Sequence, residues 1–158
     1  MNEIAGETGN DMMWVRTRVD LGIGNRSLDN TGPAFEYLHR AEAIAAKMDS
    51  PYDVMTVAYN LGTTYQMRGG EADKALEYGE KALAVSREIG NRHFEINSLQ
   101  FLTILYIEDF KEYRKALELM EECLAVQQEY DSPTLWVHTW HRLSYVYRKL
   151  ERYRESEY

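Results

Sequence analysis

The stretch Tyr59-Asn60-Leu61-Gly62-Thr63-Thr64-Tyr65 decides the fold, because its Leu-Gly pair recurs at a nearly constant interval along the chain. The counterparts of Leu61-Gly62 lie at intervals of 40, 41 and 41 residues, at Leu21-Gly22, Leu102-Thr103 and Leu143-Ser144. A second marker, Ala75, has counterparts 41 residues away on either side, at Ala34 and Ala116. A fixed period of this size indicates an array built from one repeated supersecondary unit.

Apolar residues recur at helical spacing in two stretches of each unit, so each unit is predicted to be a pair of helices. The junctions between units carry helix-start and helix-stop residues, namely Asp49-Ser50-Pro51, Gly90-Asn91 and Asp131-Ser132-Pro133. We expect a first helix from about Asp11 that weakens at Gly22 and Gly24, and a second that begins at Pro33. The later helices are predicted over about 51–67, 72–89, 92–108, 112–130 and 133–150.

The pattern therefore predicts an all-α fold, a right-handed α-α superhelix of antiparallel helix pairs with about three and a half repeats. Residues 1–10 are interpreted as a flexible leader and 11–158 as a single repeat domain. The units span about 11–49, 50–90, 91–131 and 132–158, and the last is truncated because its second helix would begin near Ser156. Its core is predicted at Leu61, Tyr65, Ala75, Ala82, Leu102, Tyr106, Ala116 and Cys123.

Composition excludes several classes of partner. A net charge of −8 argues against nucleic acid and against anionic membrane surfaces, since both require a basic protein surface. Cys123 is the single cysteine, which excludes an intramolecular disulfide and predicts a reducing, cytoplasmic location. The N-terminus lacks the basic start and apolar run of a signal peptide, and no stretch approaches the roughly 20 apolar residues of a membrane span.

At the recurring Leu-Gly and Ala positions, the chain resembles the tetratricopeptide repeat family. The first helix of that repeat carries Trp-x2-Leu-Gly-x2-Tyr, and the second carries Ala-x3-Phe-x2-Ala. The second unit matches with Ala58, Leu61, Gly62, Tyr65, Ala75, Gly79 and Ala82, and the fourth with Trp140, Leu143, Ser144 and Tyr147. The period of about 41 rather than 34 resembles the long-helix variety of the family, and the first unit departs from the pattern at Arg18 and Asn25. Armadillo or HEAT arrays, with periods of about 40–47, are the alternative.

The resemblance implies a site, because the first helix of each unit lines a concave groove in this family and partners bind there as peptides. Amides can hydrogen-bond a peptide backbone, and aromatic side chains supply contact area at low entropic cost. The positions beside Leu-Gly are therefore predicted to bind a peptide or protein: Tyr59, Asn60, Thr63, Asn97, Gln100, Phe101, His138, His141 and Arg142. The family's clamp for chaperone C-terminal carboxylates is absent, since Val19, Ile23 and Gln100 occupy its positions.

No motif for catalysis, a metal or a cofactor is present in the sequence. His138 and His141 lie three residues apart on one helix, but no third ligand follows at helical spacing, so we expect no metal site. No nucleophile lies at motif spacing from a base, and no paired carboxylates occur, so we expect neither catalytic residues nor a cofactor, and the chain is not expected to be an enzyme.

Two functions remain. The first is a protein–protein interaction module that binds a peptide or protein segment in the concave groove, as the scaffold or sensory part of a larger regulatory protein. The alternative is a structural unit for self-association, through the C-terminal helix at 133–150. That helix carries Trp140, Leu143, Tyr147 and Leu150 at helical spacing, a stripe that a second helix or another copy of the chain would cover.

Overall fold

The computed structural model describes residues 8–129 and 133–156, and these residues form seven α-helices with no strand among them. The helices are α1 Thr8–Ser27, α2 Thr31–Ala45, α3 Pro51–Arg68, α4 Ala72–Glu88, α5 Arg92–Glu108, α6 Tyr113–Glu129 and α7 Pro133–Ser156. The predicted all-α helical repeat fold is therefore confirmed. Among the described residues no helix combines the length and the apolarity needed to cross a membrane.

The helices from α3 to α6 begin and end within one or two residues of the predicted positions. Ser50 caps α3 by accepting a hydrogen bond from the backbone amide of Asp53 at 3.4 Å, and Pro51 is the first helical residue. Asn91 caps α5 in the same way, with its side-chain oxygen 3.1 Å from the amide of Phe94. Gly90 adopts a φ of 68°, which stops α4 as predicted. Residues 131 and 132 of the third junction lie outside the described residues.

The predicted limits of α1 and α2 were wrong. Helix α1 begins at Thr8, inside the predicted leader, and continues through Gly22 and Gly24 to Ser27. Gly22 is tolerated because α1 lies so close to α2 that a Cβ on Gly22 would be 2.7 Å from Leu38 Cγ. Helix α2 begins at Thr31, after Asn30, so Pro33 is its third residue rather than its first. Residues 1–7 lie outside the described residues.

The predicted end of α7 was also wrong, because the helix does not stop near residue 150 but continues to Ser156. No Gly or Pro occurs between 150 and 156 to end it. The predicted apolar stripe of α7 is divided between two environments. Trp140 and Tyr147 are 56% and 52% exposed, whereas Leu143 is only 6% exposed.

The chain divides into two compact units, Met1–Val85 and Ser86–Tyr158, so the boundary falls near the end of α4. In the first unit α2 packs against both α1 and α3, and α1 also contacts α3. In the second unit α6 packs against α5 and α7, and α5 contacts α7. That residues 11–158 form a single domain stays a prediction.

The predicted core is confirmed, since all eight residues named from the repeat are buried. The counterpart in the first unit, Leu21, behaves differently and is 43% exposed. Val15 and Val19 supply the buried side chains of α1 instead. The first sequence repeat, residues 11–49, therefore keeps the close packing at Gly22 but not the burial of the adjacent Leu21.

Candidate peptide-binding surface

In the first unit, polar side chains follow the line of contact between α1 and α3. We call this surface the α1–α3 strip. Most of its members are exposed or half-buried, and Asn60 alone is buried. The strip consists of Arg16, Asp20 and Arg26 from α1 and Tyr52, Thr56, Asn60 and Thr63 from α3.

One end of the strip opens into a cavity of about 390 Å³. Its wall combines apolar side chains of α1 with polar groups and one aromatic side chain. The lining residues are Val15, Arg16, Val19, Asp20, Tyr52, Asp53 and Thr56. Asp53 is buried and accepts a hydrogen bond from the Ser50 hydroxyl at 2.7 Å, so it serves the start of α3. Tyr52, the aromatic side chain of this lining, is 46% exposed.

Arg26 defines the other end of the strip, in the last turn of α1. Its Nη1 atom donates to the backbone oxygen and to the side-chain Oδ1 of Asn60, each at 3.3 Å, and to the Thr63 hydroxyl. These contacts fix the guanidinium against α3. All of the acceptors are neutral.

The charge of Arg26 has no counterpart in its own surroundings. Among the residues that the structure describes, no carboxylate pairs with it, and its Nη2 and Nε donors have no acceptor. The pKa of Arg26 is lowered chiefly by burial, against a smaller opposing effect of Tyr59. Arginine pairs with carboxylates through two parallel hydrogen bonds, and a guanidinium bonded only through Nη1 keeps the donors for such a pair.

Asn60, which the sequence predicts as a ligand contact, is 5% exposed, and both polar atoms of its side chain are hydrogen-bonded. Its Nδ2 donates to the backbone oxygen of Thr56 at 2.9 Å, and its Oδ1 accepts from Arg26. The side chain therefore holds Arg26 in place and offers a ligand little surface. Thr63, half-buried one turn further along α3, also bonds Arg26, and Tyr59 is half-buried beside them.

The second unit places two of the predicted contacts in its interior. Gln100 is 5% exposed and donates from Nε2 to the Thr139 hydroxyl of α7 at 2.9 Å, and Thr139 donates in turn to Gln127 of α6. Phe101 is 4% exposed. This buried polar chain joins α5, α6 and α7. Gln100 and Phe101 thus belong to the interior of the second unit and leave little area for a ligand to contact.

Three predicted contacts of the second unit remain at its surface. Asn97 is half-buried, with its Nδ2 3.2 Å from His93 Nδ1. His141 is exposed and Arg142 is half-buried on α7. The side chain of His138 lies outside the described residues. No group of three or more His, Cys, Asp or Glu side chains that could hold a metal occurs in the described part of the chain.

The contact line between α5 and α7 differs from the α1–α3 strip in its charge. Glu108 of α5 accepts from the Tyr145 hydroxyl and lies 3.5 Å from Lys149 Nζ. The pKa of Glu108 is lowered mainly by the Tyr145 hydrogen bond and further by Lys149 and Lys111, against the effect of burial. Glu108 is thus paired with a cation, whereas Arg26 of the first unit has no carboxylate partner among the described residues.

A larger cavity, of about 560 Å³, lies where the turn between α5 and α6 meets α7. Charged side chains line most of it, and Leu150 supplies the apolar part. The lining residues are Lys111, Glu112, Tyr113, Arg114, Lys115, Glu118 and Leu150. None of these residues belongs to the predicted site.

Arg26 is the functional candidate that sequence reasoning missed. The sequence contains a signal for it, because Arg16, Asp20, Ile23 and Arg26 recur at helical spacing and therefore share one face of α1. The prediction that α1 weakens at Gly22 and Gly24 removed the turn with Arg26 from the helix. The wrong helix limit therefore concealed the residue.

Comparison with known proteins supports the repeat fold. The family model described as tetratricopeptide repeat matches residues 53–129. No curated protein matches the chain. A solved structure, that of a signal transduction ATPase with numerous domains and a tetratricopeptide repeat sensor from Pyrococcus horikoshii, is similar with a TM-score of 0.77 and 20% identity. The match covers 96% of this chain and 23% of that chain, so this chain spans about a quarter of the length of its structural relative.

Proposed function

Because this chain belongs to the tetratricopeptide repeat family through residues 53–129, we propose that it is a protein–protein interaction module that binds a peptide or protein segment along the α1–α3 strip. Repeats of this family are non-catalytic modules, and we propose that this chain likewise has no enzymatic activity. The observation that carries the proposal is the strip itself, which has a cavity with an exposed tyrosine at one end and an open guanidinium edge at the other.

The dimensions of the strip suit a short extended segment. Arg16 and Arg26 are ten residues apart on α1, which is about 15 Å at 1.5 Å per helical residue. An extended peptide advances about 3.3 Å per residue, so four or five ligand residues would span that distance. We propose that Tyr52 and Thr56 contact one end of such a segment and Arg26 the other.

On the second unit we propose Asn97, His141 and Arg142 as ligand contacts, because they lie at its surface. His138 stays a predicted contact. Asn60, Gln100 and Phe101 are proposed to position neighbouring side chains, since their burial leaves little area for a partner. The buried Cys123 thiol suits the reducing cytoplasm that we propose as the location.

We propose further that the module is the scaffold or sensory part of a larger regulatory protein. The similar solved structure supports this, since it belongs to a much longer protein that is described as having a tetratricopeptide repeat sensor. Likeness at 20% identity establishes the fold alone, and the regulatory role is therefore a proposal.

A peptide-display screen tests the proposed function. A library of random twelve-residue peptides is selected on the immobilised chain, and the affinity of each selected peptide is measured by fluorescence polarisation. Tyr52→Ala should weaken binding about tenfold, because truncating an aromatic anchor of an interface typically costs more than 1 kcal/mol. Tyr37→Ala is the control, since Tyr37 is a half-buried tyrosine of α2 that belongs neither to the strip nor to the exposed face of α7. Recovery of no peptide, or equal losses in both variants, would contradict the proposal.

The exposed face of α7 favours a second function, self-association through a second copy of the chain. Val137, Trp140 and Tyr147 share one face at helical spacing and are 70%, 56% and 52% exposed. Fully covering each such side chain is worth about 1.5–3 kcal/mol. Sedimentation should then show a dimer whose population rises with concentration and which Trp140→Glu abolishes. A wild-type chain that stays monomeric at every concentration would exclude this function.

A further inference from the structure

The guanidinium of Arg26 is held by neutral groups through Nη1, and its Nε and Nη2 atoms have no acceptor among the described residues. Nη1 makes all three of its hydrogen bonds, to two oxygens of Asn60 and to the Thr63 hydroxyl. A guanidinium carries five N–H donors in a planar fork, so the Nε and Nη2 side retains its donors. The contacts with α3 determine the orientation of this free edge.

The contacts of Arg26 within the protein explain its position but not how its charge is balanced. A cation in the last turn of α1 interacts favourably with the helix dipole, and the bonds to α3 join the two helices. Neither effect supplies a full negative charge, although burial of a cation is unfavourable unless it is paired. Elsewhere on the described chain, half-exposed arginines such as Arg87 and Arg92 bond the carboxylate of Glu95.

We propose that Arg26 binds a carboxylate of the peptide ligand, through a bidentate pair with its Nε and Nη2 donors, and so makes the module selective for acidic segments. The inference rests on the proposed peptide-binding function and specifies the chemistry of its ligand. Asn60 and Thr63 are positioning residues, because they act by holding the guanidinium. A single cation matches the single charge of a carboxylate.

This site differs from the family's carboxylate clamp, whose positions are occupied here by Val19, Ile23 and Gln100, because a single cation would bind the ligand and two neutral residues would only hold that cation. The carboxylate can come from an Asp or Glu side chain or from the C-terminus of the ligand. Peptides with a free and with an amidated C-terminus distinguish these two sources. The −8 net charge of the chain repels acidic ligands over most of its surface, so a local cation would confine them to the strip.

The test is a double-mutant cycle on an acidic peptide taken from the display selection. Replacing its essential Glu or Asp by Gln or Asn should weaken binding to the wild-type chain about ten- to a hundredfold. Arg26→Gln should weaken binding of the original peptide by a similar factor and make it insensitive to that replacement. Arg26→Lys, which keeps the charge but lacks the fork, should give an intermediate loss.

Arg40→Gln is the matched control, because it removes one positive charge from an exposed arginine of α2 that is 4.0 Å from Glu36. It should leave the affinity and the acidic preference unchanged. Circular dichroism melts check that the variants fold, and if Arg26→Gln unfolds, the cycle with Arg26→Lys decides.

Three results would overturn the inference. Selected peptides that lack a required acidic group, or that bind Arg26→Gln as tightly as wild type, would overturn it while leaving the peptide-binding function standing. Failure to select any peptide would overturn both together.

Discussion

Gly22 is the residue at which the Leu-Gly signature of the repeat has a direct physical cause. A Cβ on Gly22 would lie 2.7 Å from Cγ and 2.9 Å from Cδ2 of Leu38, a side chain that is fully buried. Gly24, two residues later in the same helix, has no atom within 4 Å of its hypothetical Cβ. The two glycines therefore form an internal comparison of packing against helix propensity.

We expect Gly22→Ala and Gly24→Ala to change stability in opposite directions. Gly22→Ala should lower the free energy of unfolding by about 1–3 kcal/mol, because Leu38 has no room to move away. Gly24→Ala should raise it by about 0.5–1 kcal/mol, since alanine is the better helix former. Urea unfolding measures both. Equal stabilisation by the two substitutions would show that α1 does not approach α2 as closely as described.

Cys123 provides a residue-scale prediction about pH. Burial, the largest effect, raises the pKa of its thiol from 9.0 to about 11, although hydrogen bonds with Thr139 and Gln100 oppose the rise. The folded protein thus prefers the neutral thiol, so this stability is complete below about pH 9 and is lost as the pH rises through about 11. The total effect is at most about 2–3 kcal/mol.

The free energy of unfolding should therefore fall more steeply between pH 9 and 11 in the wild type than in Cys123→Ala. Urea titrations across that range give the two slopes, and the variant corrects for other groups that titrate there. Parallel slopes would mean that the thiol is accessible to water in the folded protein.

At the scale of the element, α7 is attached to the second unit by the buried chain of Gln100, Thr139 and Gln127. Thr139→Val keeps the shape of the side chain but removes its hydroxyl. It would leave the amide of Gln100 and the carbonyl of Gln127 buried without this partner, at a cost of about 1–3 kcal/mol for each group.

We expect Thr139→Val to lower the free energy of unfolding and to accelerate amide hydrogen exchange in α7 more than in α3. Thr17→Val is the matched control, because the exposed Thr17 hydroxyl bonds only the local backbone oxygen of Met13, and it should change stability by less than about 0.5 kcal/mol. A Thr139→Val protein as stable as wild type would show that the polar chain does not hold α7.

The elements differ in how well the sequence predicts them. Helices α3 to α6 were predicted closely because Ser50, Pro51, Gly90 and Asn91 are strong local signals that the packing also obeys. Helix α1 was predicted too short because glycine is a helix breaker only where nothing compensates for it, and contact with α2 compensates at Gly22. Tertiary contacts of this kind cannot be read from spacing.

The candidate site was predictable to a similar degree. The register of the repeat identified α3 and the neighbourhood of Asn60, which the structure places beside Arg26. Whether a side chain at such a position faces water or is buried depends on the helix next to it. Spacing alone therefore could not distinguish the buried Asn60 and Gln100 from the surface residues Thr63 and Asn97.

At the scale of the whole molecule, the two units offer surfaces of different character. The first unit has the α1–α3 strip, which ends at Arg26, a cation that no carboxylate pairs with in the described part of the chain. The second unit has a paired carboxylate at Glu108 and a cavity with several charged residues near Leu150. We thus predict that peptide binding by this repeat protein depends mainly on the α1–α3 strip of the first unit.

Backbone NMR of the 15N-labelled chain, titrated with a peptide from the display selection, tests this claim most directly. We predict that the largest shift changes in the first unit fall within 16–26 of α1 and 52–63 of α3, and that Arg26→Gln reduces them. Largest changes at residues 111–118 and 150, around the other cavity, with none along the strip, would contradict the claim.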